Sequence, residues 1–199
     1  MQRWLAHRLK SGSPPRRRGS AAWRLLTALG LASVLGMTAL AASASAATYG
    51  PYYIRAVNSG KCMDVKGGPS ATANLTIVQQ WTCWGGTNQQ WYLQDTGDGS
   101  YYLMPANRTT ACLDVTGGPT GVANGTPLQI WDCWGGSNQR WFLNRGANSS
   151  TNSTTIVAEN SGTCSDVTGG PAAVADFIPL QIWDCWGGTN QSWYLTTTF

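Results

Sequence analysis

Histidine and glutamate are almost absent from this 199-residue chain. The only histidine is His7 and the only glutamate is Glu159. His7 lies in an N-terminal segment that we expect to be removed, so the rest of the chain has no imidazole for a Ser-His-Asp triad, a Cys-His pair or a zinc ligand. The composition therefore argues against those enzyme classes, and we expect no metal and no cofactor.

The N-terminal segment has the order of regions found in exported proteins. Arginines between positions 16 and 24 precede an apolar run, Leu25–Leu40, which is followed by the small-residue stretch Ala41–Ala47. Basic, apolar and small-residue regions in this order are typical of a secretory signal peptide, and the apolar run is short for a membrane span. We expect residues 1–46 to be a signal peptide and residues 47–199 to be secreted, with an uncleaved membrane anchor as the alternative.

Positive charge is scarce outside that segment. The whole chain has 13 Lys and Arg residues against 9 Asp and Glu, for a net charge of +4. Seven of the basic residues lie in the leader, which leaves the mature domain with a net charge of −3. A mildly acidic domain without a basic cluster binds phosphates poorly, so a nucleic-acid partner is not expected.

A threefold internal repeat covers nearly all of the mature domain. The copies begin at Cys62, Cys112 and Cys164, and the two cysteines of each copy are 21 positions apart. We number the copies repeats one, two and three and place them at about residues 51–97, 98–148 and 149–199. No single copy can bury an apolar face alone, so three copies are expected to share one core about a pseudo-threefold axis.

Each repeat contains four short alternating or apolar runs, which favour strands. In repeat one the runs are Tyr52–Val57, Cys62–Val65, Ile77–Trp81 and Gln90–Leu93, and the opening runs of the other repeats are Tyr101–Pro105 and Thr154–Ala158. Glycine, proline and asparagine separate them, and no stretch has helical periodicity. The sequence predicts an all-β domain of twelve strands.

Alternation with period two predicts which side chains of repeat two face outward. Leu128 and Ile130 lie on one face of their strand, and Gln129 and Trp131 lie on the other. Because Leu and Ile belong in the core, Gln129 and Trp131 should project outward, and the same reasoning places Asp114 on that outer side.

The six cysteines form an even set in an oxidising setting. Sequence alone allows 15 connectivities, but the repeat symmetry pairs the cysteines within each copy. The predicted bridges are Cys62–Cys83, Cys112–Cys133 and Cys164–Cys185. Each bridge closes a loop, and the loop-entropy model predicts that such a bridge stabilises the fold by about 3 kcal/mol.

The outward face of each repeat carries residue types suited to a sugar. A sugar ring needs an aromatic surface for its C–H face and fixed polar groups for its hydroxyls. In repeat two we expect Trp131 to be that surface, with packing as the alternative, and Asp114 to accept two neighbouring hydroxyls, with a turn cap as the alternative. Gln129 and Asn138 would donate and accept along the rim.

The remaining repeated tryptophans have other expected roles. Trp91, Trp141 and Trp193 follow a glutamine by two positions, and we expect them in the core with the glutamine holding a turn. Those after the second cysteine, Trp84, Trp134 and Trp186, form either a second wall of the site or a cover on the disulfide. Asp132 of repeat two and Asp184 of repeat three correspond to Thr82 in repeat one. This replacement indicates that the two aspartates are charged residues exposed to solvent.

The repeats also differ from one another. Repeat one has Gln80 and repeat three has Ser165 at positions that are apolar in the other copies. Repeat two has Asn124-Gly125, a strong hairpin signal, where the others have Asn74-Leu75 and Asp176-Phe177. Repeat two is therefore the most regular copy.

The motifs C-x-D-V, Q-x-W-x-C and N-Q-x-W, three times in register, resemble the ricin-type β-trefoil lectin family, which includes modules attached to bacterial xylanases and other secreted glycosidases. The resemblance covers residues 51–199 and implies a β-trefoil of three pseudo-symmetric four-stranded repeats. In that family the Asp binds sugar hydroxyls, the aromatic residue of Q-x-W-x-C stacks on the ring, and the Gln and Asn complete the pocket. The implied carbohydrate-binding residues are Asp64, Gln79, Trp81, Asn88, Asp114, Gln129, Trp131, Asn138, Asp166, Gln181, Trp183 and Asn190.

The resemblance implies a lectin without catalytic activity that binds glycans or polysaccharide, of galactose or xylan type, through up to three pockets. Together with the leader, we expect a secreted monomer. An enzyme is one alternative, but glycoside hydrolysis needs two carboxylates about 5 to 10 Å apart, and the repeated aspartates lie one per copy. A protein-binding β-trefoil, such as a protease inhibitor, is the second alternative and would need one distinctive exposed loop. A module of a larger secreted enzyme is the third, although the leader and the end at Phe199 favour a free-standing protein.

Overall fold

A computed structural model describes residues 46–145 and 152–199, so the predicted signal peptide lies outside the described residues except for Ala46. The strands are β1 Thr48–Ala56, β2 Cys62–Val65, β3 Thr76–Trp81, β4 Gln90–Asp95, β5 Tyr101–Pro105, β6 Ala111–Val115, β7 Leu128–Asp132, β8 Trp141–Arg145, β9 Thr154–Ala158, β10 Cys164–Val167, β11 Ile178–Trp183 and β12 Trp193–Thr196. Short 3-10 turns span Thr87–Gln89, Gly118–Thr120, Ser137–Gln139 and Thr189–Gln191. No helix in the described part of the chain has the length and apolar character needed to cross a membrane.

Six of the strands form a closed antiparallel barrel. β1 pairs with β12 and β4, β5 pairs with β4 and β8, and β9 pairs with β8 and β12. The other six form the hairpins β2–β3, β6–β7 and β10–β11, which pair with one another through β3–β7 and β3–β11. Closure removes the free edges of the barrel sheet. This barrel with three hairpins confirms the predicted β-trefoil.

A buried tryptophan in each repeat joins its hairpin to the barrel. Trp91, Trp141 and Trp193 are fully buried, as predicted for the Q-x-W positions. A buried indole N–H requires a hydrogen-bond partner, and each one donates to a backbone carbonyl 28 residues earlier in the chain. The accepting carbonyls belong to Met63, Leu113 and Ser165, at N···O distances of 3.0, 3.0 and 3.3 Å.

The predicted alternation and the predicted disulfides are both confirmed. Leu113, Leu128 and Ile130 are fully buried in the core. The three bridges are Cys62–Cys83, Cys112–Cys133 and Cys164–Cys185, with Cα–Cα distances of 5.2, 5.1 and 5.1 Å. Each bridge connects the first strand of a hairpin to the segment that follows the second strand.

Loop residues tie each repeat to the next. Asn74 of repeat one donates to the Asp132 carboxylate (2.9 Å) and accepts from the Asp132 backbone N–H (3.0 Å). Asn124 makes the same two bonds to Asp184, both at 2.8 Å. The aspartates are exposed to solvent, as expected, but each also holds a loop of the preceding repeat, which the sequence had not indicated.

The contact between repeats three and one uses different residues. Asp176 accepts from the Thr82 backbone N–H at 2.7 Å and forms an ion pair with Lys61 at 2.7 Å. Gln80, which departs from the apolar pattern, is fully buried and donates to the carbonyls of Ala173 and Ala175 at 3.0 and 2.7 Å. The polar residue at position 80 of repeat one is therefore explained by this interface.

Ser165 offers a test of packing in repeat three. It is fully buried at the position of Leu113, and its hydroxyl has no partner among the described residues. An unpaired buried hydroxyl costs free energy, so Ser165→Ala should raise the free energy of unfolding by about 1 kcal/mol in urea denaturation. The matched Leu113→Ala change should lower it by about 2–5 kcal/mol. A loss of stability in Ser165→Ala would show that the hydroxyl is paired.

Candidate functional site

The structure brings each predicted set of four residues into one surface pocket per repeat. Across each hairpin the aspartate lies directly opposite the glutamine: Asp64 faces Gln79, Asp114 faces Gln129, and Asp166 faces Gln181. The tryptophan lies two residues after the glutamine, on the second strand of the hairpin. The asparagine comes from the 3-10 turn that follows this strand. The three pockets therefore repeat the symmetry of the fold.

The pockets have similar sizes and linings. Their volumes are about 370 Å³ for pocket one, 340 Å³ for pocket two and 330 Å³ for pocket three. Pocket one is lined by Asp64, Lys66, Gly67, Gly68, Gln79, Trp81, Trp84, Asn88 and Phe177. Pocket two is lined by Leu75, Asp114, Thr116, Gly117, Gly118, Gln129, Trp131, Trp134 and Asn138. Pocket three is lined by Asp166, Thr168, Gly169, Gly170, Gln181, Trp183, Trp186 and Asn190.

The aspartate at the base of each pocket is held by three amide groups. In pocket two, one carboxylate oxygen of Asp114 accepts from Gln129 at 2.9 Å, and the other accepts from Asn138 at 2.7 Å and from Gln139 at 2.9 Å. A carboxylate has about four acceptor positions, so one remains. About one acceptor position of Asp114 is thus not used by the amide groups, and the expectation that Asp114 accepts two ligand hydroxyls stays a prediction. Asp64 and Asp166 have the same three partners.

Burial perturbs these carboxyl groups. Asp64, Asp114 and Asp166 are each only 3% exposed. Desolvation raises the pKa of all three above the ordinary value of 3.8, while the glutamine and asparagine N–H donors oppose that shift because they favour the ionised form. The ionised form is the one that three amide donors can satisfy together.

Gln139 has a role that the sequence only partly indicated. As predicted, it holds a turn, because it accepts from the Trp134 backbone N–H and donates to the Asp132 carbonyl, both at 2.9 Å. Its additional bond to Asp114 was missed, as were those of Gln89 and Gln191 in the other pockets. The recurrence of the Asn-Gln pair in all three repeats was the available signal.

Asn138 does not lie along the rim as expected. Its amide N–H groups donate inward, to Asp114 at 2.7 Å and to the Val115 carbonyl at 3.3 Å. Its carbonyl oxygen is buried without a partner among the described residues. Asn138 therefore orients Asp114 and joins the turn to β6, and the same holds for Asn88 and Asn190.

The second tryptophan of each repeat forms a wall of the pocket. Trp84, Trp134 and Trp186 line their pockets and are 50, 55 and 56% exposed, which decides between the two roles left open above. The Trp134 ring packs on Gly136, where an added Cβ would lie 2.3 Å from the ring and 2.5 Å from the Asn138 oxygen. Gly86 and Gly188 have the same contacts, so the glycine two residues after each of these tryptophans leaves room for its ring, a requirement that the sequence reasoning missed.

Neighbouring repeats also contribute to two of the pockets. Phe177 of repeat three lines pocket one, and Leu75 of repeat one lines pocket two. The matching residue near pocket three is Gly125 of repeat two, which has no side chain. These contributions depend on contacts between repeats and were not predicted from the sequence.

A family comparison agrees with this geometry. The model of the family described as ricin-type beta-trefoil lectin domain-like matches residues 39–131 and 134–199. The chain belongs to this ricin-type β-trefoil lectin-like family. Within the described residues of this family member, no group of His, Cys, Asp and Glu side chains is arranged to hold a metal ion.

Solved structures similar to this lectin-like chain include designed and natural proteins. A designed threefold-symmetric protein, ThreeFoil, is 32% identical with a TM-score of 0.65, and the match covers 73% of this chain and 96% of ThreeFoil. An exo-β-1,3-galactanase from Clostridium thermocellum is 30% identical with a TM-score of 0.63, over 73% of this chain and 30% of the enzyme. The Macrolepiota procera ricin B-like lectin, solved in complex with lactose, is 24% identical with a TM-score of 0.60, and the match covers 76% of this chain and 96% of the lectin.

Replacing Gly136 should change the wall of pocket two without straining the backbone. Its φ and ψ of −66° and 152° suit any residue, so Gly136→Ala acts through the clashes with Trp134 and with the Asn138 oxygen. We expect the Trp134 indole resonance, assigned with Trp134→Phe, to shift in ¹H–¹⁵N spectra. Gly97→Ala is the control, because its φ of 88° brings strain of about 1 kcal/mol but its surroundings are open. An unshifted resonance in Gly136→Ala would contradict the packing.

Proposed function

We propose that this chain is a secreted, non-catalytic lectin that binds glycans through up to three pockets. The observation that carries the proposal is the recurrence, in every repeat, of one carboxylate with a single remaining acceptor position between two tryptophans. In pocket two these residues are Asp114, Trp131 and Trp134. A sugar ring presents an apolar face to an aromatic surface and a hydroxyl to the carboxylate.

The rigidity of the polar cluster supports the same function. Gln129, Asn138 and Gln139 fix Asp114 from three directions before any ligand binds. A pre-oriented acceptor loses little conformational freedom when a hydroxyl docks, so a shallow pocket still gains affinity. The Cys112–Cys133 bridge joins the strand that carries Asp114 to the end of the strand that carries Trp131.

Galactose-type sugars or xylan-like polysaccharide are the proposed ligands. One similar structure is an exo-β-1,3-galactanase and another is a lectin in complex with lactose, which supports a galactose-type ligand for this chain. Three pockets on one rigid body would bind a polymer or a clustered glycan with an avidity greater than that of any single pocket. The three disulfides support function in an oxidising, extracellular setting, and we propose a monomer.

The arrangement of carboxylates supports a role without catalysis. Glycoside hydrolysis needs an acid and a second carboxylate about 5 to 10 Å apart. Each pocket is lined by one aspartate, namely Asp64, Asp114 or Asp166, and by no second carboxylate among the described residues. Each aspartate is already engaged by three amide donors, as expected for a group that recognises a hydroxyl.

Binding to a glycan panel tests the proposal. The purified mature domain should bind saturably to at least one of galactosides, arabinogalactan, xylan and mannan. The triple change Trp81→Ala, Trp131→Ala and Trp183→Ala should weaken binding by at least about fivefold, because each pocket loses its aromatic contact. Tyr92→Ala is the control, since Tyr92 is a half-buried aromatic residue outside the pockets. Absence of binding by folded, disulfide-intact protein would reject the lectin function and favour a protein partner.

The buried aspartates make affinity depend on pH. Burial raises the pKa of Asp114 and its two equivalents above 3.8, so affinity should fall as the pH drops through that raised pKa, starting above pH 3.8. The effect on stability has the opposite sign. A carboxyl whose pKa is raised by folding contributes its full stabilisation at pH values below its pKa in the unfolded chain. That contribution is lost as the pH rises through its pKa in the folded protein. Calorimetric binding and circular dichroism between about pH 7 and pH 4 would separate the two effects. Constant affinity across this whole range would argue against recognition by a carboxylate.

A further inference from the structure

The loops that join the two strands of each hairpin end in residues with an unusual backbone conformation. These tip residues are Leu75, Gly125 and Phe177, with φ of 68°, 86° and 68°. Glycine adopts a positive φ readily, whereas a leucine or a phenylalanine there is strained. The strain therefore occurs in the loops of repeats one and three and not in that of repeat two.

The residue before each tip fixes the loop over the next pocket. Asn74 binds Asp132 of repeat two, and Asn124 binds Asp184 of repeat three. Asp176 binds the backbone N–H of Thr82 in repeat one. Each contacted residue directly follows the tryptophan of its pocket, namely Trp131, Trp183 and Trp81. The tips are thus held beside the aromatic surfaces of the neighbouring repeats.

The three tips present different side chains to the three pockets. The Phe177 ring lies edge-on to Trp81, with 3.9 Å between ring centroids, and Leu75 lines pocket two. At Gly125 an added Cβ would lie 3.8 Å from the Trp183 ring. This side of pocket three is therefore open because glycine has no side chain. Trp183 is accordingly 40% exposed, while Trp81 and Trp131 are half-buried.

Backbone preference does not account for Phe177 and Leu75, and burial in the core does not account for them either. Their side chains are 66 and 64% exposed, so little apolar surface is removed from water, and their positive φ adds strain. Strain kept at a ligand pocket is a recognised indication of function. What the two residues do is close one side of pockets one and two.

Pocket three is also open beyond its second tryptophan. Trp186 borders a further cavity of about 460 Å³ whose lining includes Thr155, Gly187 and Ser192. A Cβ at Gly187 would meet no described residue within 4 Å, whereas one at the equivalent Gly85 would lie 2.8 Å from the Phe199 ring. Among the described residues, nothing therefore blocks either side of pocket three for a glycan chain seated there.

Resting on the proposed lectin function, we propose that the tip residue determines which part of a glycan each pocket accepts. Phe177 and Leu75 restrict pockets one and two to the terminal sugar of a chain. Gly125 leaves pocket three able to bind an internal sugar, with the chain continuing past Gly125 on one side and over Trp186 on the other.

Single-pocket proteins test this inference. Trp131→Ala with Trp183→Ala isolates pocket one, and Trp81→Ala with Trp131→Ala isolates pocket three. The probes are β-1,3-linked galactose and β-1,4-linked xylose oligosaccharides of increasing length, from the monosaccharide upward, measured by calorimetry. Affinity per chain in pocket three should rise with length by about threefold to tenfold, from added aromatic contact, and should stay constant in pocket one.

Exchanging the tips should exchange these profiles. In the protein with only pocket three, Gly125→Phe should abolish the rise with length, and Gly125→Ala is the matched control because it carries the same backbone strain without a ring. In the protein with only pocket one, Phe177→Gly combined with Phe199→Ala should introduce the rise, because both sides of the pocket are then open. The single change Phe177→Gly, by relieving strain, should not lower the melting temperature. These comparisons separate the role of the ring from any effect on folding.

The possible outcomes distinguish the two proposals. If the unmodified domain binds neither these probes nor the wider glycan panel, the lectin function fails and the inference fails with it. If the single-pocket proteins bind but their dependence on chain length is the same with phenylalanine, alanine or glycine at the tip, the lectin function stands and the role of the tips is wrong.

Discussion

The buried aspartate of each repeat is the constraint on which both the fold of the repeat and its pocket depend. In repeat two, the Asp114 carboxylate accepts hydrogen bonds from Gln129 on the facing strand and from Asn138 and Gln139 in the 3-10 turn. The adjacent residue, Leu113, accepts the indole N–H of Trp141 on the opposite, core side. The position of the turn relative to β6 is therefore set from both faces of the strand. A residue that holds the pocket together is one peptide bond away from a residue that holds the core together.

This coupling explains why the core is symmetric while the pockets are not. The core tryptophans, Trp91, Trp141 and Trp193, are buried alike in all three repeats. The tip residues are not part of that packing, because they lie outside the core and contact the neighbouring repeat. Phe177 and Gly125 can therefore differ without disturbing the barrel, and the threefold fold can carry pockets of unequal shape.

Much of the fold followed from patterns within each repeat. The alternation around Leu128 and Ile130 and the spacing of the cysteines depend only on local periodicity and copy number, and both predictions were confirmed. The positions that were missed or misjudged depend on side-chain direction and on contacts with distant residues. Asn138 turns inward because both its N–H groups find acceptors at the end of β6, and Gln139 reaches Asp114 only because the turn folds over that strand.

The sequence by itself determined the threefold repeat, the all-β class, the pairing of cysteines and the four residue types that line each pocket, because these follow from period-two alternation and from recurrence at a fixed spacing. Only the tertiary structure decided which tryptophan forms the second wall, how many acceptor positions Asp114 retains and which neighbour closes each pocket. Those properties arise between segments far apart in the chain, such as Asn74 and Asp132, whose meeting depends on barrel closure and leaves no periodic signal in the sequence.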